Sequence, residues 1–387
     1  MRLFGCEVCG QLLYFENTQC VRCGATLGYL PARNRLTALD PDEAGEGMPG
    51  TPTPEGALAQ SVGAATEAED AADAPEPDTL WRPRAAPEAL HRFCDNARHK
   101  ACNWLVPAES AARFCEACRH NRTIPDLSDP GNLAHWQKIE AAKRRAFYSF
   151  LRLGLPLVDR VEDPENGLAF DFLADAPDGS EKVMTGHDNG LITLALAEAD
   201  DAERTRRRTA MGEPYRTLLG HFRHESGHYF WDRLVRDGGR LEECRAVFGD
   251  DSQDYGAALQ RHYEQGPPAD WQENFVSTYA TAHPWEDFAE TWAHYLHIVD
   301  TLEMARAFGI GIDPAVDRRD ELTAEVDFDP YRATRIEPVM EAWVPLTAAV
   351  NSLNRCMGTP DLYPFVLSPA VVAKLAFIQS LVHPPKA

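Results

Sequence analysis

Between Trp136 and Gly154, the apolar positions of WQKIEAAKRRAFYSFLRLG recur at the spacing of one helix face, and Gly154 with Pro156 close behind marks a stop. The period then changes. LAFDFLAD at 168–175 and GLITLALAE at 190–198 read as extended runs, and in the second Ile192, Leu194 and Leu196 alternate with Thr193, Ala195 and Ala197. The turn-forming stretches APDGSE and GHDNG punctuate them. After Pro214 helical spacing returns. One helix is predicted to enter through Pro214, to bury Leu218, Leu219, Phe222, Phe230 and Leu234, and to stop at Asp237-Gly238-Gly239. Another starts at Pro284, with an apolar face of Trp285, Phe288, Ala289, Trp292, Leu296 and Val299. No internal repeat of solenoid period is present.

Upstream of Trp136 the pattern offers less of a core. From Asp40 to Asp78 the chain runs in Ala, Pro, Glu, Asp, Gly and Thr, with eleven acidic residues and no Lys or Arg. Such a stretch cannot offset its own ordering entropy, so a flexible acidic linker is expected, with an acidic tail for a basic partner as the alternative. The predicted division is 1–36 as a zinc ribbon, 37–88 as linker, 89–125 as a second four-cysteine segment and 126–387 as the main domain.

Composition narrows the function classes. The 387 residues carry 38 basic and 60 acidic side chains, a net charge of −22, which repels nucleic acid and anionic membranes. No window is apolar enough for a membrane span, and the N-terminus MRLFGCEVCG does not read as a secretory signal. A cytoplasmic location with reduced thiols is therefore expected. Cys244 and Cys356 stand outside the cysteine clusters and read as ordinary buried thiols.

The candidate chemistry begins at His224-Glu225-Ser226-Gly227-His228. Residues at i and i+4 share a helix face, so His224 and His228 can aim two imidazole nitrogens at one zinc ion. Glu225, one step round the helix, is the candidate catalytic base for water activated by that ion. His221, one turn earlier, reads as exposed or structural. A third ligand is needed, and Glu286, 58 residues past His228, is the first choice. Glu290 would then hold a ligand imidazole in its tautomer. The reverse assignment stays open, with Asp287 as a weaker third option. Tyr279, His283 and His294 are unranked candidates for stabilising an oxyanion.

Cys6-x2-Cys9 and Cys20-x2-Cys23, ten residues apart, form a zinc-ribbon pattern, with Gly10 and Gly24 placed for tight turns. Cys94, Cys102, Cys115 and Cys118 form a second set with a single CxxC, and His91, His99 and His120 are nearby substitutes. Both sets read as closed structural zinc sites. Residues 82–122 hold eight basic side chains against four acidic ones, so nucleic-acid contact by this segment is weighed against an ordinary solvated surface, which is preferred.

Across nearly its whole length the chain resembles bacterial zinc-ribbon proteins that carry a zinc-binding metallopeptidase domain of the gluzincin type. The resemblance rests on CEVCGQLLYFENTQCVRCG, CNWLVPAES, RTIPDLSDPGN, TGHDNGLITLALAEAD, GEPYRTLLGHFRHESGHYFWD and HPWEDFAETWAHYL. The acidic insertion between the two cysteine sets departs from the family pattern. The resemblance implies an α+β architecture: zinc-ribbon modules, then a mainly helical zincin-like domain with a small sheet over the HExxH helix. It also implies a substrate peptide lying along an edge strand, for which 190–198 is the expected counterpart. His224, His228 and Glu286 take its ligand positions and Glu225 its base. The expected function is a zinc-dependent peptidase acting on protein or peptide, with one catalytic and one or two structural zinc ions. The alternatives are a zinc-stabilised binding or regulatory protein working through the ribbons, and a hydrolase of a non-peptide amide.

Overall fold

The computed structural model describes residues 2–42, 78–176, 182–211, 217–316 and 318–384, with the side chains of 207–211 also left aside. The chain forms two compact units, one of residues 4–118 and one of residues 119–387 together with the first three residues.

The first unit has short strands and little helix. Strands β1 (Phe4–Gly5) and β2 (Leu12–Leu13) pair antiparallel. Strands β3 (Leu27–Leu30), β4 (Arg35–Pro41), β5 (Trp81–Pro83), β6 (His91–Phe93) and β7 (Leu105–Pro107) form one sheet in that order. Both cysteine sets therefore belong to one unit. Most of the expected acidic linker, residues 43–77, lies outside the described residues, while β4 and β5 pair across its two ends. The core is small: Leu30, Leu39, Phe93 and Leu105 form one cluster, and aromatic rings pack beside it. The ring centroids of Phe15 and Tyr29 lie 4.8 Å apart, as do those of Tyr29 and Trp104.

The second unit is built on long helices. A four-stranded sheet has the order β10-β11-β9-β8, made of β8 (Asn121–Thr123), β9 (Ala169–Leu173), β10 (Gly186–Asp188) and β11 (Leu191–Ala195). Helix α1 (Pro130–Leu153) is capped by Asp129 and ends, as predicted, at Gly154 in the left-handed conformation. Its Phe147 and Phe150 meet Phe170 of β9 and Phe230 respectively. The β10–β11 hairpin turns at Asn189 and Gly190, with φ of 46° and 80°. Two successive positive φ values are what a two-residue hairpin of this hand requires.

Two strand expectations change. The run at 190–198 stays extended only to Ala195; Leu196–Ala199 is a 3-10 turn that carries the chain to α2 (Asp201–Met211). It is also not the edge. β11 pairs with β10 on one side and β9 on the other, so the edges belong to β10 and β8. Apolar alternation in 190–198 reports burial, which an inner strand has more of than an edge.

Helix α3 (Leu218–Phe230) carries the HExxH segment. Pro214, the predicted entry residue, lies outside the described residues; Thr217 caps the helix by accepting from the Gly220 N–H at 2.9 Å. The predicted stripe is only part of the buried surface. Leu218, Leu219 and Leu234 are half-buried, whereas every residue from Glu225 to Asp232 is buried. The helical run ends at the predicted Asp237-Gly238-Gly239, but its last stretch, Trp231–Arg236, is a π-helix, with the Asp237 N–H reaching the Asp232 carbonyl at 2.9 Å. Helices α4 (Leu241–Phe248) and α5 (Tyr255–Gln265) follow. Helix α6 (Pro284–Phe308) begins at the predicted proline and packs along α3. A two-stranded ribbon of β12 (Gly311–Ile312) and β13 (Ala324–Glu325), then α7 (Ile336–Cys356) and α8 (Pro369–Val382), complete the unit. Cys244 is buried as expected, but Cys356 is exposed because it closes α7 at its solvent end. Among the described residues, no helix is long and apolar enough to cross a membrane.

Candidate active site

The site forms where α3 and α6 touch. Gly227 makes the close approach possible: a Cβ there would lie 2.9 Å from the Cα of Ala289. That contact sets the first turns of α6 against the imidazoles of α3. His224 Nε2 stands 3.1 Å from Glu286 Oε2, and His228 Nε2 stands 3.6 Å from the same oxygen. One ligand atom from each of the three residues lies within 4.8 Å of the others.

A tetrahedral zinc ion with nitrogen and oxygen ligands at about 2.0–2.1 Å sets ligand atoms about 3.3 Å apart, and the observed spacings bracket that value. Hydrogen bonding points the same way. His224 Nδ1 donates to Glu290 Oε1 at 2.7 Å, so in the neutral ring Nε2 carries a bare lone pair. A lone pair facing the Glu286 carboxylate is repulsive unless a cation stands between them. Burial alone would lower the His224 pKa, but hydrogen bonds to Glu286 and Glu290 raise it well above the usual imidazole range. Burial would likewise raise the Glu286 carboxyl, yet the charge of His228 and the bonds from both imidazoles hold it well below the usual range. The site asks for positive charge, and this donor set suits zinc.

Glu290 does not face the convergence point. Its Oε1 takes the His224 proton and its Oε2 accepts from Ser277 Oγ at 2.6 Å. Asp287 is drawn away by Lys374, whose Nζ lies 2.6 Å from its carboxylate. Burial pushes Asp287 up to about 7 despite that partner. Glu225 is buried, and among the described residues its carboxylate takes no hydrogen bond.

The other sequence candidates separate. The Tyr279 ring lies 5.9 Å from that of His224. His283 instead caps α6, accepting from the Trp285 N–H at 3.1 Å, and its Nε2 meets the Gln253 carbonyl at 3.2 Å. His294 is spent on Tyr363, whose hydroxyl lies 2.6 Å from Nδ1. His221 is held by Glu198 at 3.2 Å, the structural option.

Three residues near the site were missed from sequence. Tyr255 donates its hydroxyl to Glu286 Oε1 at 2.6 Å. Ser277 anchors Glu290. Trp285, assigned to the apolar face of its helix, instead lays its ring 3.8 Å from that of His228. A Trp one residue before a predicted ligand, on the first turn, was the available signal. Burial, then the charge of Glu286, pushes both Tyr255 and Tyr279 above the usual phenol range, so both keep their protons at neutral pH. His187, on β10, stands 5.8 Å from the His228 ring, and burial lowers its pKa to about 3.

In the first unit, each cysteine set brings its four sulfurs within 4.8 Å. The Cys6–Cys23, Cys9–Cys20 and Cys102–Cys115 sulfur pairs stand 3.7, 3.6 and 3.7 Å apart. These are not disulfide lengths. They match the spacing of about 3.8 Å set by a tetrahedral ion with sulfur at about 2.3 Å. Gly10 and Gly24, with φ of 74° and 72°, make the turns after the knuckles.

Residues 132–381 match a family described as "Putative zinc-binding metallo-peptidase". The chain belongs to this metallopeptidase family. Residues 3–52 and 59–129 match a zinc-ribbon domain family. Similar full-length relatives come from Mycobacterium bovis and Mycobacterium tuberculosis; each is 39% identical over 383 residues, covering 99% of this chain and 95% of the relative, and each is described as an uncharacterized protein. No solved structure matches. The architecture is thus α+β, a zinc-ribbon region followed by a largely helical zinc-binding domain with small sheets.

Proposed function

We propose that the protein is a zinc-dependent peptidase of the gluzincin type, in which His224, His228 and Glu286 hold the ion and Glu225 is the base. The observation that carries this reading is the convergence of His224 Nε2, His228 Nε2 and Glu286 Oε2 beside the buried Glu225 carboxylate, which takes no hydrogen bond among the described residues. Zinc held there would polarise a peptide carbonyl and make water a stronger acid. Glu225 takes a proton from water as its oxygen attacks the carbonyl carbon, then delivers that proton to the departing amide nitrogen. Glu290, fixed by Ser277, keeps the His224 Nδ1 proton in place and leaves Nε2 free to bind. Tyr255 spends its proton on Glu286, whereas Tyr279, whose ring lies 5.9 Å from that of His224, retains its own and is the donor for the oxygen that gains charge during attack. Water and the peptide are consumed; a carboxylate and an amine leave.

The cysteine sets fit two structural zinc sites, and sulfurs that stand apart as metal ligands suit a reducing cytoplasm. The nucleic-acid alternative gains no support from the basic residues of the first unit. Arg82, Arg84, Arg98 and Arg113 pair with Asp42, Asp40, Asp95 and Asp78, and Arg92 is spent on the backbone carbonyls of Ala108, Ser110 and Ala112.

The test is Glu225→Gln. Metal analysis should give wild-type zinc content, while hydrolysis of a broad peptide library falls by about two to four orders of magnitude. A wild-type protein that cleaves no peptide, or a variant that cleaves at the wild-type rate, overturns the proposal.

A further inference from the structure

We propose that the cavity walled by Trp285 and Tyr255 is a subsite for a lysine or arginine side chain of the substrate, an inference that rests on the peptidase reading above. The cavity has a volume of about 370 Å³. It adjoins the chemistry through two of its walls: the Trp285 ring lies tilted against that of His228 and Tyr255 donates to Glu286. Asp188, at the end of edge strand β10, also lines it, so a peptide running along that edge passes the cavity mouth.

The charge balance of the lining selects the ligand. Three carboxylates, Asp188, Asp232 and Asp251, face one guanidinium, Arg236. The Arg236 charge is already balanced by carboxylates, with Nη1 on Asp232 at 2.7 Å and Nε on Asp237 at 2.9 Å. Asp251 is held from outside by Arg245 at 2.7 Å. Asp188 is different. Among the described residues its hydrogen bond comes from the neutral amide of Asn189 at 2.9 Å, and no cation neutralises it. The cavity therefore offers an uncompensated carboxylate and two tryptophan rings, Trp231 and Trp285, and its guanidinium is already paired with carboxylates. A long aliphatic stem with a cationic head satisfies both, through ring contact along the stem and charge at the tip. An acidic side chain or a terminal carboxylate meets net repulsion.

The experiment uses full-length zinc-loaded protein and hexapeptides that differ at one position, Lys, Arg, Leu or Glu, scanned on both sides of the scissile bond. The expected result is a kcat/KM for Lys or Arg about tenfold above Leu at one position, with Glu lowest. Asp188→Asn should reduce the Lys-to-Leu ratio about tenfold, and Asp188→Lys should turn the preference toward Glu. Asp188 is exposed in a hairpin turn, so both variants keep the fold. Calorimetric binding of the same peptides to Glu225→Gln gives a second readout. If wild type cleaves nothing yet the Lys peptide binds tightest and loses that advantage in a Glu225→Gln, Asp188→Asn protein, the subsite stands and the peptidase reading falls. Equal handling of all four peptides, or a preference untouched by Asp188→Asn, overturns the subsite.

Discussion

Replacing Gly227 with alanine sets two effects of known sign against each other. In an open helix interior the change would stabilise by up to about 1 kcal/mol, because glycine is the poorer helix former. Here the new Cβ would stand 2.9 Å from the Cα of Ala289 and 3.3 Å from both its Cβ and its carbonyl oxygen. The obstacle is backbone, with no flexible side chain to swing aside. Restoring a carbon–carbon distance of about 3.5–4.0 Å moves α3 and α6 apart by roughly 0.6–1 Å. Overpacking of that kind costs about 1–3 kcal/mol, so after the helix-propensity gain the apo-protein should lose up to about 2 kcal/mol net. The site suffers more than the fold. His224 and His228 ride on α3 and Glu286 on α6, one turn before Ala289. Zinc sites tolerate ligand displacements of about 0.2 Å, several times less than the expected separation. Zinc affinity at the third site should therefore fall at least tenfold, read by competition with a chromogenic chelator, while thermal unfolding of the metal-free protein reports the packing cost. A variant that is more stable than wild type and binds zinc equally well would refute the reasoning, since it would mean that the two helices do not meet at this glycine.

Three further outcomes are expected. Glu290→Gln should weaken zinc binding by about ten- to a hundredfold, as loss of an outer carboxylate partner does, and Ser277→Ala should weaken it less; chelator competition at constant pH checks both, and unchanged affinity in Glu290→Gln removes that residue from the orienting role. Stripping metal with a strong chelator should abolish amide hydrogen-exchange protection in residues 4–118 while the α1 amides of 130–153 keep theirs, because only the first unit hangs its short strands on cysteine ligands. Burial alone would raise the Asp171 carboxyl, but hydrogen bonds from Arg122 and Thr123 hold it below the usual range. A depressed folded pKa contributes stability above the unfolded value of about 3.9 that is lost as pH falls through the folded one. Arg122 is half exposed, so Arg122→Gln should cost only about 1 kcal/mol in urea unfolding at pH 7, and the gap should narrow as pH falls below the ordinary carboxylate range; a gap that persists in strong acid would assign it to packing.

The parts of the site that sequence revealed are those whose geometry is local. His224 and His228 share a helix face by counting alone, and the knuckle cysteines are a few bonds apart, so spacing suffices. Glu286 and Glu290 were legible as a pair on a helix start, because i and i+4 are neighbours there too, yet their division of labour was not. Which carboxylate meets the Nε2 atoms and which the Nδ1 of His224 depends on the sliding of α6 along α3, and that register is set by the Gly227–Ala289 contact, a feature without periodic signature. Tyr255 and Ser277 were missed for the same reason: each reaches the site across a tertiary gap, 31 and 13 residues from its carboxylate partner. Strand identity failed differently. Alternation in 190–198 marks a strand with a buried face and is silent about which neighbours flank it, and the edge position, which only the family resemblance implies, belongs to a neighbouring strand. Local chemistry survives in sequence because covalent spacing enforces it. The approach of α3 to α6 rests on the absence of a single side chain, and a missing group leaves no pattern to count.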